Sequence, residues 1–181
     1  MRSAWQLIDL TRPLDPTAYV LHLDGAHVRA AETPSQKLSQ WQDEEVQALE
    51  LVAKWTGDPA LLAVENLESY PPDFVMPVVE RTGASRCVDV GHLWLDGHDP
   101  VPYLRRALPK TRSVHLHGLL DWDKGRRDHL SLAHMSPTQL DPVIDLFLCA
   151  PFTGVLTLEI FGKEDFDSSL AMLFASIERC R

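Results

Sequence analysis

Little in the chain would tie it together covalently or anchor it in a lipid bilayer. Among 181 residues there are three cysteines, Cys87, Cys149 and Cys180, widely spaced and without a C-x-x-C pair. That excludes a disulfide scaffold and a cysteine-based zinc knot, and fits a reducing, cytoplasmic setting. No run reaches membrane-spanning length, and the opening Met1-Arg-Ser-Ala-Trp-Gln-Leu-Ile-Asp-Leu lacks the apolar centre of a signal peptide. Basic residues are scarce. Lys+Arg is 17 against 26 Asp+Glu, a formal net charge of −9. Nucleic-acid and membrane-surface binders need a basic face, so neither partner is expected. A small substrate held by a local cluster is compatible with this charge. Low-complexity tracts are also missing. With 45% hydrophobic and 24% charged residues, the composition is that of a globular chain, read as one domain over residues 1–181.

What is present is an alternation. Five apolar runs bounded by Gly, Pro, Asp or Ser predict strands over residues 19–24, 61–67, 86–90, 113–117 and 155–161. Between or after them, helical spacing of apolar residues predicts helices over 42–55, 72–82, 100–108, 137–148 and 167–179. Pro77 predicts a kink or a late start in the second of these. Strand and helix in turn, at spacings that admit crossovers, predict an α/β fold with a parallel sheet. Residues 118–136 predict a long polar loop, and a loop of that length is more often functional than idle.

The polar residues of the strands share a face and gather late in each strand. By the two-residue alternation of strand side chains, His22, Glu65, Asp89, His115, His117 and Glu159 face one way. Carboxyl ends of parallel strands are where α/β sites lie. Any one buried Glu or His is ordinarily a satisfied core group. As a set, Glu65, Asp89 and Glu159 would converge with His22, His92, His115 and His129, and three carboxylates repel unless a cation neutralises them. Imidazoles mixed with carboxylates form a ligand set for Zn, Mn or Fe(II), too rich in nitrogen for Ca. His27, His98 and His134 have no comparable position and are read as surface or packing residues.

The series V-E-N, D-V-G-H, H-L-H-G, D-H-L-S-L and L-E-I resembles the xylose-isomerase-like barrel superfamily, which holds sugar isomerases, epimerases and the family-2 AP endonucleases. The resemblance covers nearly the whole chain from Tyr19 onward. It implies a (β/α)8 TIM-barrel type fold, here an N-terminally truncated barrel with five parallel strands in place of eight over about 250 residues. In the isomerase and epimerase branch one metal is held by Glu, Asp, His and Glu, matching Glu65, Asp89, His115 and Glu159. The endonuclease-like branch adds histidines for further metals, matching His22, His92 and His129. Where that branch has an Asp two residues before the loop histidine, this chain has Arg127. The wording V-L-H-L-D-G, D-V-G-H-L, H-L-H-G and L-T-L-E-I-F-G is most similar to the cobamide-remodelling phosphodiesterases.

The resemblance therefore implies a metal-dependent hydrolase with one to three divalent ions (Zn, Mn or Fe), cleaving a phosphoester of a small molecule such as the nucleotide loop of a cobamide. Glu65 and Glu159 would be its catalytic carboxylates. His117, Arg126, Arg127 and Trp122 would contact substrate, with Lys124 beside the arginines. Two alternatives stand beside it: a sugar or sugar-phosphate isomerase or epimerase, and a truncated metal-binding module without catalysis. Missing strands would expose apolar edges, so self-association is expected.

Overall fold

The computed structural model describes residues 2–31, 35–123 and 125–181; Glu32 and Lys124 lie outside them. Strands β1 (Tyr19–Leu21), β2 (Leu62–Glu65), β3 (Ser85–Asp89), β4 (Thr111–Leu116) and β7 (Val155–Leu158) form a five-stranded parallel sheet in the order β1-β2-β3-β4-β7. The α/β expectation of a barrel-type parallel sheet with five strands holds. Strands β5 (Gly118–Trp122) and β6 (Gly125–Leu130) form a separate antiparallel hairpin. The helices are α1 (Arg2–Thr11), α2 (Gln36–Thr56), α3 (Met76–Thr82), α4 (Val90–Leu95), α5 (Pro100–Ala107), α6 (Pro137–Cys149) and α7 (Lys163–Cys180).

The chain divides into two compact units, residues 1–87 with 110–113, and residues 88–109 with 114–181. In the first, β1, β2 and β3 pair in parallel, with Tyr19 opposite Leu62 and Glu65 opposite Cys87. Helix α2 starts where the Ser35 hydroxyl accepts the Leu38 N–H, and stops at Gly57, whose φ of 82° only glycine adopts cheaply. Its buried face carries Trp41, Val46 and Leu49, which pack in one cluster with Leu62, Val64, Val78 and Val79. Pro77 gives α3 a late start rather than a kink, because a proline costs nothing in the first turn, where its N–H would be unpaired anyway.

The second unit has its own core of Val88, Leu93, Leu104, Leu116, Leu132, Leu140 and Val143. Asp99 caps α5 by accepting the Val101 N–H, and Ser136 with Gln139 closes a capping box on α6. Helices α6 and α7 are pinned together at Asp141, which accepts from Ser176 Oγ at 2.6 Å and from Arg179 Nη2 and Nε at 2.6 and 2.7 Å.

Several expected boundaries require correction. The first strand ends at Leu21, so His22 and Asp24 lie beyond it; the second ends at Glu65, the fourth at Leu116 and the fifth at Leu158. His117 and Glu159 are therefore post-strand residues, and the alternation of strand faces does not reach them. Helix α2 begins six residues before the expected start. Residues 118–136, expected as loop, contain the hairpin and a short 3-10 turn over Leu132–His134. Helices α1 and α4 were not anticipated. Among the described residues, no helix is long and apolar enough to cross a membrane.

Candidate metal centre

In the first unit, β2 ends on Glu65, which is 1% exposed. Its Oε2 lies 3.3 Å from His22 Nε2, on a side chain that is largely exposed. Glu65 also sits opposite Cys87 in the parallel register, two residues before Asp89 in sequence. Asp24 lies on the rim of the same unit. There it accepts the Ala26 N–H and the Tyr70 hydroxyl, and these bonds hold its carboxyl below the usual carboxylate range.

The second unit gathers six of the expected residues. Asp89 closes β3 and caps α4: its Oδ1 accepts the His92 N–H at 2.7 Å. The chain turns from strand to helix here with Gly91 in the first turn. A Cβ on Gly91 would lie 2.1 Å from His117 Cε1, so only glycine admits the His117 ring at this place. Asp89 Oδ2 lies 3.8 Å from His92 Nδ1 and 3.9 Å from His115 Nδ1. His115 Nδ1 is also 2.8 Å from Glu159 Oε2. Glu159 is carried past the end of β7, its backbone N–H donating to the Leu116 carbonyl at 3.1 Å. Asp89, His115 and Glu159 each offer a ligand atom, all within 4.8 Å of one another.

A second set lies in the same unit. His92, His117 and His129 also offer ring nitrogens within 4.8 Å of one another. The His117 and His129 rings are 4.3 Å apart and inclined by 33°. His129 adopts a φ of 51°, the left-handed region that is costly for a side-chain-bearing residue. That backbone turn lets its N–H donate to His117 Nδ1 at 3.0 Å, while its own Nδ1 lies 3.2 Å from the Glu159 carbonyl. His117 is fully buried, and its Nε2 lies 3.2 Å from Asp89 Oδ1, a close polar contact rather than a formed hydrogen bond. Burial alone would push the His117 pKa down. The Asp89 carboxylate, helped by the Gly118 carbonyl and the charge of Asp128, outweighs burial and raises it.

The remaining expected residues sit on the hairpin. Arg126 binds Asp121 Oδ1 at 2.8 Å and the Trp94 and Leu95 carbonyls at 3.3 and 3.2 Å, closing off the end of α4. It lines a cleft of about 780 Å³ with Trp94, His98, Asp99, Asp121 and Gln139. Arg127 stacks over exposed Trp122, with 5.2 Å between the guanidinium carbon and the ring centre.

The donor chemistry suits a divalent transition metal. Two carboxylates and an imidazole converge in buried space, and the nearly sealed Asp89 and His115 give such a cation a dry seat. Residues that the strand argument could not reach, the His117–His129 pair above all, depend on a hairpin and a left-handed turn. The sequence singled out each of the two separately, His117 by the alternation of the fourth strand and His129 as the loop histidine of the resemblance, but not their pairing.

No family model matches the chain, and no curated protein matches it significantly. Solved structures do. A xylose isomerase domain protein from Planctomyces limnophilus is 16% identical over 99% of this chain and 64% of its own, with a TM-score of 0.65. An L-ribulose 3-epimerase is 17% identical, over 99% of this chain and 67% of its own, with a TM-score of 0.63. An IOLI protein with a bound zinc atom is 13% identical, over 99% and 66%, with a TM-score of 0.62. The fold is thus that of xylose-isomerase-like TIM-barrel proteins, and the chain spans about two thirds of the length of these neighbours.

Proposed function

We propose that the chain is a metal-dependent isomerase or epimerase acting on a small sugar or sugar phosphate. The observation that carries this reading is the convergence of Asp89, His115 and Glu159 ligand atoms within 4.8 Å. Glu65 is the fourth ligand by its matching position. Support comes from the neighbours, which include an epimerase and a zinc-bound protein of the same fold. A cation bound to these residues supplies Lewis-acid polarisation of a carbonyl and its neighbouring hydroxyl. The protein's own part is proton transfer. Glu159, partly exposed beside His115, takes the proton from the carbon next to the carbonyl, and Glu65, the other carboxylate the resemblance implies, would return a proton it has drawn from solvent. His22 steadies the Glu65 carboxylate from the exposed flank. The acidic surface suits a small, freely diffusing substrate.

Phosphoester hydrolysis is the second reading, and the imidazoles of His92 and His129 favour it, since they add nitrogen donors beyond a one-metal set. Arg127 and Trp122 would then face a phosphate and a flat ring, as in a cobamide nucleotide loop.

The test is to incubate the protein, loaded separately with Zn, Mn and Fe(II), with ketoses in deuterated water and to follow exchange at the carbon beside the carbonyl by NMR. Metal-dependent exchange is expected, falling at least about 100-fold in Glu159→Gln, the scale of losing a positioned general base. Cleavage of a cobamide by the metal-loaded protein without sugar exchange replaces this reading with hydrolysis. Metal binding without turnover on either substrate leaves a binding module.

A further inference from the structure

The second unit holds a space that the metal reading leaves unused. The open cleft of about 780 Å³ is walled by the end of α4, the start of α5, the hairpin and the start of α6. Small-molecule sites typically span about 300–1,000 Å³, and this one is of that size. None of its residues belongs to the set of Asp89, His115 and Glu159 or to that of His92, His117 and His129. A molecule held here meets groups that have no part in the metal chemistry.

The floor is apolar, with Trp94 and Met135 both buried. The rim is polar, and its groups are only partly engaged. Arg126 commits Nε to Asp121 and Nη1 to the Trp94 and Leu95 carbonyls, and among the described residues nothing takes its Nη2. Gln139 turns Oε1 to the Ser136 N–H and hydroxyl at 3.2 and 2.8 Å, which leaves its amide N–H groups without a described partner. Asp99 accepts the Val101 N–H through Oδ1, and Asp121 meets Arg126 through Oδ1, so each keeps a second oxygen. The rings of His98 and His134 are exposed and engage no described residue.

Charge narrows what fits. Two carboxylates stand with one guanidinium, and the first residues of α5 and α6 also line the cleft. A helix start is equivalent to about half a positive charge, so the fixed charges nearly cancel and favour neither an anion nor a cation. Free donors and free acceptors stand together on the rim. A hydroxyl donates and accepts at one atom, and the C–H face of a sugar ring suits an apolar floor. We infer that this cleft is a binding site for a neutral saccharide, with a ring over Trp94 and Met135 and its hydroxyls on Asp99, Gln139, His98 and His134. The site goes beyond the metal centre and does not depend on it.

The test titrates the ¹⁵N-labelled, backbone-assigned full chain near pH 7 with the methyl glycosides of glucose, galactose and xylose. A glycoside cannot open to a carbonyl, so it is no substrate for isomerisation. Glucosamine and glucose 6-phosphate, which carry opposite charges on the same kind of ring, are titrated separately. At least one glycoside should shift the amides of His98, Leu119 and Thr138 with a Kd in the millimolar range, leaving those of His115 and Glu159 in place. His98→Ala and His134→Ala should each weaken binding by about 3–10-fold, the scale of one lost hydrogen bond. Both replace exposed rings without described partners, and unchanged spectra elsewhere verify the fold. The charged sugars should bind no more tightly than the glycoside. No shift at the cleft with any glycoside overturns the inference, as does a charged sugar that binds more than about tenfold tighter, or binding that neither variant weakens. Shifts confined to His115 and Glu159 also overturn it, while supporting a sugar at the metal centre. Failure of metal-dependent exchange with ketoses leaves this site untouched.

Discussion

Asp89 does two jobs with one carboxylate. It caps α4 through the His92 N–H, and it faces His115 through its other oxygen. Asparagine caps helices about as well as aspartate, whereas alanine loses about 1 kcal/mol at such a position. Asp89→Asn should therefore keep the thermal midpoint close to wild type while losing most zinc binding, because an amide nitrogen or neutral oxygen replaces the anionic Oδ2. Asp89→Ala should lose both. Calorimetric melts paired with zinc titration separate the two roles; an Asn variant that binds zinc like wild type would remove Asp89 from the ligand set.

Among the elements, the clearest electrostatic lock joins α6 to α7. Arg179 and Ser176 hydrogen-bond the Asp141 carboxylate and hold its pKa below the usual carboxylate range. A depressed folded-state value means the contribution is present above the unfolded value and disappears as pH falls through the folded one. Urea midpoints of wild type and Asp141→Asn should thus differ near pH 6 and converge in strong acid, below the folded value. A gap unchanged across that range would assign the effect to packing.

The elements also show what could be read from the residues beforehand. All five sheet strands were legible because each is a short apolar run stopped by a breaker. Their ends were not, since His22, His117 and Glu159 continue the alternation for one residue or more after the ladder has stopped. Helix α4 was hidden because it starts on the residue after β3, spans Val90–Leu95 and carries Gly91. The hairpin was hidden because the charged run Asp121, Asp123, Arg126, Arg127 and Asp128 masks the few apolar residues around it. Its pairing joins backbone bonds to the Arg126–Asp121 and Arg127–Trp122 contacts, with an irregularity between Gly118 and Leu120. Asp89 stands at a strand end as read from the sequence, whereas the meeting of Glu159 with His115 and of His117 with His129 depends on turns that the strand pattern does not describe.

On the scale of the whole molecule, the apolar surface is conspicuous. Leu10, Leu14, Phe161 and Phe174 are 76%, 78%, 80% and 58% exposed, and Phe166 adds to the same helix as Phe174. Strands β1 and β7 stand at the two ends of the sheet order. Covering apolar area gains about 25 cal/mol per Å², so the isolated chain should self-associate at micromolar concentration. Sedimentation equilibrium should give a mass above 20.4 kDa, and Phe166→Lys with Phe174→Lys should shift it downward. A clean monomer in wild type would count against association.

The hydrogen bond from the His129 amide to His117 has a consequence for fluctuation. That amide belongs to β6, whose outer residues Gly125, Arg126 and Arg127 are exposed. Hairpins with solvent-facing backbone bonds open locally at far lower free energy than a packed core. Each such opening withdraws the amide proton that faces His117 Nδ1, and so frees a fully buried ring to turn. The order of that buried ring is then limited by the breathing of a surface ribbon, and its turning follows the tempo of that ribbon rather than that of the sheet.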